Sequence, residues 1–178
     1  MLVTPSDFRA TMARFASGVT VVTTTLDQTY FGLTVSAFCS VSLTPPLVLV
    51  SLDFTSQTFP IIRQSGVFAV NVLAQDQEAL ALRFASKDLQ RKTFADIPLR
   101  AGETGAPLFE ESLACIECRL VAMYPAGDHA LMLGEVVHLD ASADRVSKAP
   151  LLYYRSSFLL FQQEISLTEL LAVEALTW

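Results

Sequence analysis

Residues 28–52 carry no charged side chain, and that interval limits the fold more than any other feature. So long an uncharged run is either a transmembrane helix or a series of strand-length pieces buried in a sheet. Thr34, Ser36, Ser40, Ser42 and Thr44 punctuate it, and Pro45-Pro46 breaks it, because prolines remove backbone donors and cannot continue a helix. The interval therefore reads as two β-prone runs on either side of a small-residue segment, and no membrane span is expected. An apolar, flat ligand with a polar end would suit such a surface.

The rest of the chain agrees with a sheet. VTVVTTT at 19–25 is β-branched throughout and predicts a strand, with a turn at 27–29 and a return strand at 30–35. Residues 36–44 read as irregular or weakly extended, and LVLVSL at 47–52 as a strand buried on both faces. Further strands are expected at 67–73, 113–124, 130–139, 151–154 and 158–161, the long pair at 113–139 being joined by a turn at 125–129. Helices are expected at 6–17, capped by Ser6, with Phe8, Met12 and Phe15 facing the core; at 59–64, with Pro60 in the first turn; and at 75–84. A terminal helix is expected at 166–176, starting from the capping-box spacing of Ser166 and Glu169. The stretch 87–107 reads as a surface excursion that covers something. Strands that do not alternate with long helices exclude a doubly wound sheet. The expected architecture is one domain over residues 1–178, with 165–178 as a helical tail: mainly β with short helices, an antiparallel small barrel.

Hydrophobic residues make up 52% of the chain and charged ones 17%, which opposes disorder and implies that some surface is buried against a partner. The net charge of -6 argues against nucleic acid, whose phosphates demand clustered Lys and Arg. The first residues, MLVTPSDFRATMARF, lack the basic and continuous apolar regions of a secretory signal, so a cytoplasmic location is expected. Cys115 and Cys118 have CxxC spacing, but in β-prone sequence positions three apart face opposite sides of a sheet. With no second such pair and no pair of nearby histidines, a structural role is expected and no metal. His129 and His138 stand an odd number of positions apart on one strand and do not converge unless a bulge intervenes. Dinucleotide-binding glycine motifs, a Walker loop, a GxSxG elbow and HExxH are all absent. A reaction in which a cofactor carries the chemistry and the protein binds and orients it passes this audit.

Several segments, taken in order, resemble the flavin reductase-like family. They are FASGVTVV at 15–22, GLTVSAF at 32–38, SVSLTPPLV at 40–48 and FAVNVL at 68–73, followed by Gly127-Asp128-His129, Gly134-Glu135-Val136 and PLLYYR at 150–155. Each motif is weak alone; the ordered set, over roughly 8–161, is specific. The resemblance implies an FMN-binding split barrel of antiparallel Greek-key type, usually a homodimer, working as the small NAD(P)H:flavin oxidoreductase component of a two-component monooxygenase.

Residue by residue, Thr34, Val35, Ser36 and Ala37 are small and uncharged enough to let main chain approach the pyrimidine edge of an isoalloxazine ring, although they would serve equally as a strand end with surface hydroxyls. Ser56 and Thr58 precede a helix whose free amides suit a phosphate. By resemblance, Ser51, Leu52 and Asp53 also line the flavin, and Arg83, Ala85 and Ser86 match a segment on its ribityl or phosphate side; a helix C-terminal arginine is the plainer alternative for Arg83. The resemblance puts His129 on the nicotinamide side and sets Tyr154 and Arg155 beside the pyridine nucleotide or the dimer groove, against a solvated histidine, a core tyrosine and a surface arginine. Hydride transfer from NADH or NADPH to FMN or FAD needs no catalytic acid or base at its central step, only stacking and exclusion of water. The expected function is a flavin reductase that supplies reduced flavin to a separate oxygenase. The alternatives are a flavin-holding electron carrier or storage protein on the same barrel, and a haem- or pyridoxamine-phosphate-linked relative.

Overall fold

The protein is described by a computed structural model covering residues 3–141 and 148–159, apart from the Leu89 side chain. Helix α1 (Pro5–Met12) is followed by the short strand β1 (Ser17–Gly18), then by β2 (Thr20–Leu26) and β3 (Thr29–Val35). Asp27 and Gln28 join β2 to β3 with φ of 49° and 60°, as a two-residue type I′ hairpin requires. Two residues later comes β4 (Phe38–Leu43), which turns at Thr44-Pro45 into β5 (Pro46–Asp53). Helix α2 (Thr58–Ser65) ends at Gly66 with φ 70°, the left-handed exit that glycine allows, and leads to β6 (Val67–Val72). Helix α3 (Glu78–Ala85) follows, then the short pair β7 (Leu99–Ala101) and β8 (Pro107–Phe109). The long hairpin of β9 (Ala114–Ala126) and β10 (His129–Asp140) and the small hairpin of β11 (Leu152–Tyr154) and β12 (Ser157–Leu159) complete the described chain.

The main sheet is antiparallel throughout, in the order β3-β2-β6-β9-β10-β5-β4. Its two edges, β3 and β4, are separated in sequence only by Ser36 and Ala37. The three Cα steps from Val35 to Phe38 reach at most about 11 Å, so the sheet has to curl until its edges meet at that corner. The β5–α2–β6 connection passes over the β9–β10 hairpin, which is a Greek-key crossing. Inside the curl lie Val22, Val35, Val48, Val50, Leu52, Phe68, Val70 and Met132, with Phe59 and Ile62 of α2 packed against them. On the outer face of β2, Val19 and Val21 pack with Leu73, Ala81, Phe84 and Phe109, and Phe94 joins them from the excursion. The excursion thus covers the outer face of β2, as expected of it. Buried threonines on β2 are satisfied by carbonyls: Thr20 donates to Val35, Thr23 to Pro107 and Thr24 to Val67, each at 2.7 Å.

Four expectations need correction. Helix α1 is capped by Thr4, whose hydroxyl accepts from the Asp7 amide at 3.1 Å, with Pro5 in its first turn. It stops at Met12, because Ser17 and Gly18 pair with β11, and its stripe is not core: Phe8, Met12 and Phe15 are 58%, 50% and 74% exposed. Residues 38–43 form an edge strand whose hydroxyls reflect exposure, with a register shift between Ser40 and Ser42. Strand β5 alternates, with Val48, Val50 and Leu52 inward and Leu47, Leu49 and Ser51 only half-buried. The β9–β10 turn is just Gly127 and Asp128, since Ala126 pairs directly with His129. The terminal helix expected at 166–176 and the tail at 165–178 lie outside the described residues. Among the described residues, no helix is long and apolar enough to cross a membrane.

Candidate functional site

On β3 and β5 the period of two sends Val35 and Leu52 into the core, where they are buried, so only their backbone can reach a ligand. Their neighbours Thr34, Ser36, Ser51 and Asp53 therefore face outward, at the corner where the sheet's edges meet. The Ser51 amide donates to the Ala37 carbonyl at 3.0 Å, which fastens this corner. Two cavities flank it. One, of about 390 Å³, is lined by Leu33, Thr34, Asp53, Ser56, Ala85, Ser86 and two lysines, Lys87 and Lys92. The other, of about 660 Å³ and mostly apolar, takes Ser36, Ala37 and Ser51 together with Phe8, Met12, Phe15 and Tyr153. Five of the expected flavin residues thus meet in the first cavity and three in the second, with Val35 and Leu52 as backbone between them.

Two parts of the wall of the first cavity differ in chemistry. Thr34 spends its hydroxyl on the Ala81 carbonyl at 2.6 Å, which leaves an uncharged backbone ledge. On another part of the wall α2 begins without a side-chain cap on Gln57, and the Ser56 hydroxyl accepts from the Thr58 amide at 3.3 Å. Thr58 itself is buried and donates to the Gly32 carbonyl at 3.3 Å, so it supports the floor of the site through β3. Lys92 is the telling residue. Its ammonium reaches only the Gly32 carbonyl, at 3.4 Å, it has no carboxylate partner among the described residues, and burial lowers its pKa from the ordinary lysine value. A half-buried cation with no carboxylate partner among the described residues, near the start of α2, favours a bound anion. A ring on the uncharged ledge and a phosphate near Lys92 and Lys87 fit a flavin nucleotide.

Asp53 also closes a turn. Its carboxylate accepts from the Thr55 amide at 2.7 Å and the Thr55 hydroxyl at 2.8 Å, and these bonds, the backbone one foremost, hold its pKa below the usual carboxylate value. His129 lies directly across the ladder from Asp53, partly exposed, with Nδ1 2.7 Å from Asp128 Oδ1. That contact is the main cause of the lowered pKa of Asp128. His129 therefore stands at the turn of the β9–β10 hairpin, paired with Asp53, and lines neither of the two cavities.

Arg83 is not brought to this cavity. It binds Asp96 through Nη1 at 2.6 Å and Nη2 at 2.8 Å, on the wall of a separate cavity of about 320 Å³ that includes Asp76 and Lys148. Tyr154 and Arg155 sit at the β11–β12 turn, where the Arg155 amide donates to Ala13 at 2.8 Å and its guanidinium lies 6.0 Å from the Tyr154 ring centre. Tyr153 and Ser156, on either side of them, line the apolar cavity. Cys115 and Cys118 are buried in different core clusters, the Cys115 thiol donating to Asn71 Oδ1 at 3.4 Å, and burial pushes the Cys118 thiol up to about 12. Sequence reasoning missed Lys87 and Lys92; the only available signal was their position in a long excursion.

The chain matches the family model described as "Flavin reductase like domain" over residues 12–159. It is 38% identical over 154 residues to the flavin-dependent monooxygenase reductase subunit HsaB of Mycobacterium tuberculosis, covering 86% of this chain and 81% of that one. It is 40% identical over 159 residues to an NADH-dependent flavin reductase of a Rhodococcus species, covering 88% and 86%. Among solved structures, the NADH:FAD oxidoreductase SgcE6 of Streptomyces globisporus C-1027, in complex with NAD and FAD fragments, superposes with a TM-score of 0.83 at 32% identity over 93% of this chain and 99% of that one. The match to the family model over most of the chain and the identities to these relatives make the chain a member of the flavin reductase-like family.

Proposed function

We propose that the protein is an NAD(P)H:flavin oxidoreductase that binds its flavin across the β3–β5 corner and passes reduced flavin to a separate monooxygenase. The observation that carries this reading is the cavity whose uncharged ledge at Thr34 leads to Lys92, a half-buried lysine with no carboxylate partner among the described residues. A bound flavin supplies the two-electron acceptor for the hydride of the nicotinamide. The chain's own part is positional. Backbone at 34–37 and 51–53 meets the ring edge, Ser56, Ser86, Lys87 and Lys92 hold the phosphate, and His129 guards the open side. Relatives named as reductase subunits of monooxygenases support delivery to a partner enzyme. Purified protein should oxidise NADH or NADPH at a rate that rises with flavin and saturates; no turnover with FMN, FAD or riboflavin would refute the assignment.

The split-barrel homodimer belongs to the same proposal. It is supported by the exposed α1 stripe beside a cavity that is mostly apolar. A nicotinamide co-substrate and a chain with only three cysteines support a cytoplasmic location.

A further inference from the structure

We propose that Arg83 and Asp96 form a clasp that positions Lys92 at the anionic end of the flavin cavity, so that Arg83 governs phosphate binding without touching the phosphate. The inference rests on the reading of that cavity as the flavin site.

The segment 92–96 is held at three points. Lys92 rests on the Gly32 carbonyl at 3.4 Å. Phe94 enters an aromatic cluster, its ring centre 4.9 Å from Phe84, 5.8 Å from Tyr30 and 6.2 Å from Phe109. Asp96 takes both terminal nitrogens of Arg83, and Arg83 Nη1 also donates to the Thr93 carbonyl at 3.3 Å. Thr93 adjoins Lys92, so the guanidinium grips the backbone one residue from the cavity lysine. Helix α3 carries Arg83 on one side and Phe84, Ala85 and Ser86 on the cavity side, which makes it the common frame for both halves of the phosphate end.

Stability does not explain the pair. The Asp96 side chain is 65% exposed, and pairs open to solvent contribute little to folding. The geometry explains it better. A planar fork can bind two carboxylate oxygens and a carbonyl at once, whereas a lysine offers a single point charge. An irregular excursion that must present a desolvated ammonium needs that kind of fixed hold.

The test compares FMN with riboflavin, which lacks the phosphate, by flavin fluorescence titration of the full-length protein. Lys92→Ala is expected to lower the FMN-to-riboflavin affinity ratio about tenfold, as loss of a charge-assisted phosphate contact does. Arg83→Ala, Arg83→Lys and Asp96→Ala should each lower the same ratio about three- to tenfold, with melting temperatures within about 2 °C of wild type. In a Lys92→Ala background none of them should lower it further, and the reversed pair Arg83→Asp with Asp96→Arg should recover part of it. A normal ratio in Arg83→Ala and Asp96→Ala, with a lowered one in Lys92→Ala, overturns the clasp alone. A normal ratio in Lys92→Ala overturns the phosphate site and leaves the clasp nothing to position.

Discussion

Gly32 is the point where stability and function share one contact. It sits in β3 under the aromatic cluster, and a Cβ there would lie 2.9 and 3.0 Å from the Cδ1 and Cε1 of Phe84 and 3.3 Å from the Cζ of Phe94. Phe84 is fully buried, with Phe109 on its other side at 5.6 Å between ring centres, so the ring cannot simply swing away. Overpacking of this kind costs about 1–3 kcal/mol, and the removal of a strand glycine returns about 0.5–1 kcal/mol. The net loss for Gly32→Ala is then about 1–2 kcal/mol, a fall in melting temperature of roughly 2–8 °C for a chain of this size. The displaced rings carry their neighbours: Ala85 and Ser86 follow Phe84, and Lys92 is two residues before Phe94. FMN affinity should therefore fall several-fold along with stability, and Phe84→Leu in the Gly32→Ala background should restore part of both. The assays are thermal unfolding by circular dichroism and titration with FMN. A variant with unchanged melting temperature and unchanged FMN affinity would refute the packing argument and the coupling built on it.

Two further outcomes are expected. Light scattering should give twice the chain mass for the wild type, and Phe8→Ser with Phe15→Ser should shift it to the chain mass. Covering the exposed part of each ring contributes about 1–2 kcal/mol, and a two-fold axis counts each loss twice; a wild-type monomer at micromolar concentration would contradict this. Carboxyl titration by NMR should place Asp53 and Asp128 below ordinary aspartate midpoints. Because these folded values are depressed, their contribution is present above the unfolded value and fades as pH falls through the folded one. Thr55→Ala should raise the Asp53 midpoint only partway, since the Thr55 amide remains as its larger cause, and His129→Ala should raise that of Asp128. Ordinary midpoints in the wild type would count against the turn geometry.

The strands were legible because their chemistry is local. VTVVTTT can adopt little besides β structure, and the opposite faces of Cys115 and Cys118 follow from a period of two. What failed to show was context. The Phe8, Met12 and Phe15 stripe has perfect helical spacing, but spacing reports that a face is apolar and says nothing of what covers it. The hydroxyls of 36–44 suggested irregular chain, whereas an edge strand tolerates such residues because one side of it has no neighbour to pack against.

The site divides along the same line, which explains why Lys92 lines the cavity and Arg83 does not. The ledge residues Thr34, Ser36, Ala37, Ser51 and Asp53 sit near one another in sequence, so their shared surface follows from two strands and one corner. The cations come from a different part of the chain. The family resemblance makes Arg83 a ligand contact and the plainer alternative a helix C-terminal arginine; its partner is Asp96, thirteen residues on. Nothing in the local sequence marks Lys92, yet the packing of Phe94 two residues later draws it onto the Gly32 carbonyl. A single aromatic anchor in an irregular segment thus decides which of two basic residues faces the cavity and which holds the segment in place. That choice depends on the docked excursion, and no period or propensity within residues 83–96 encodes it.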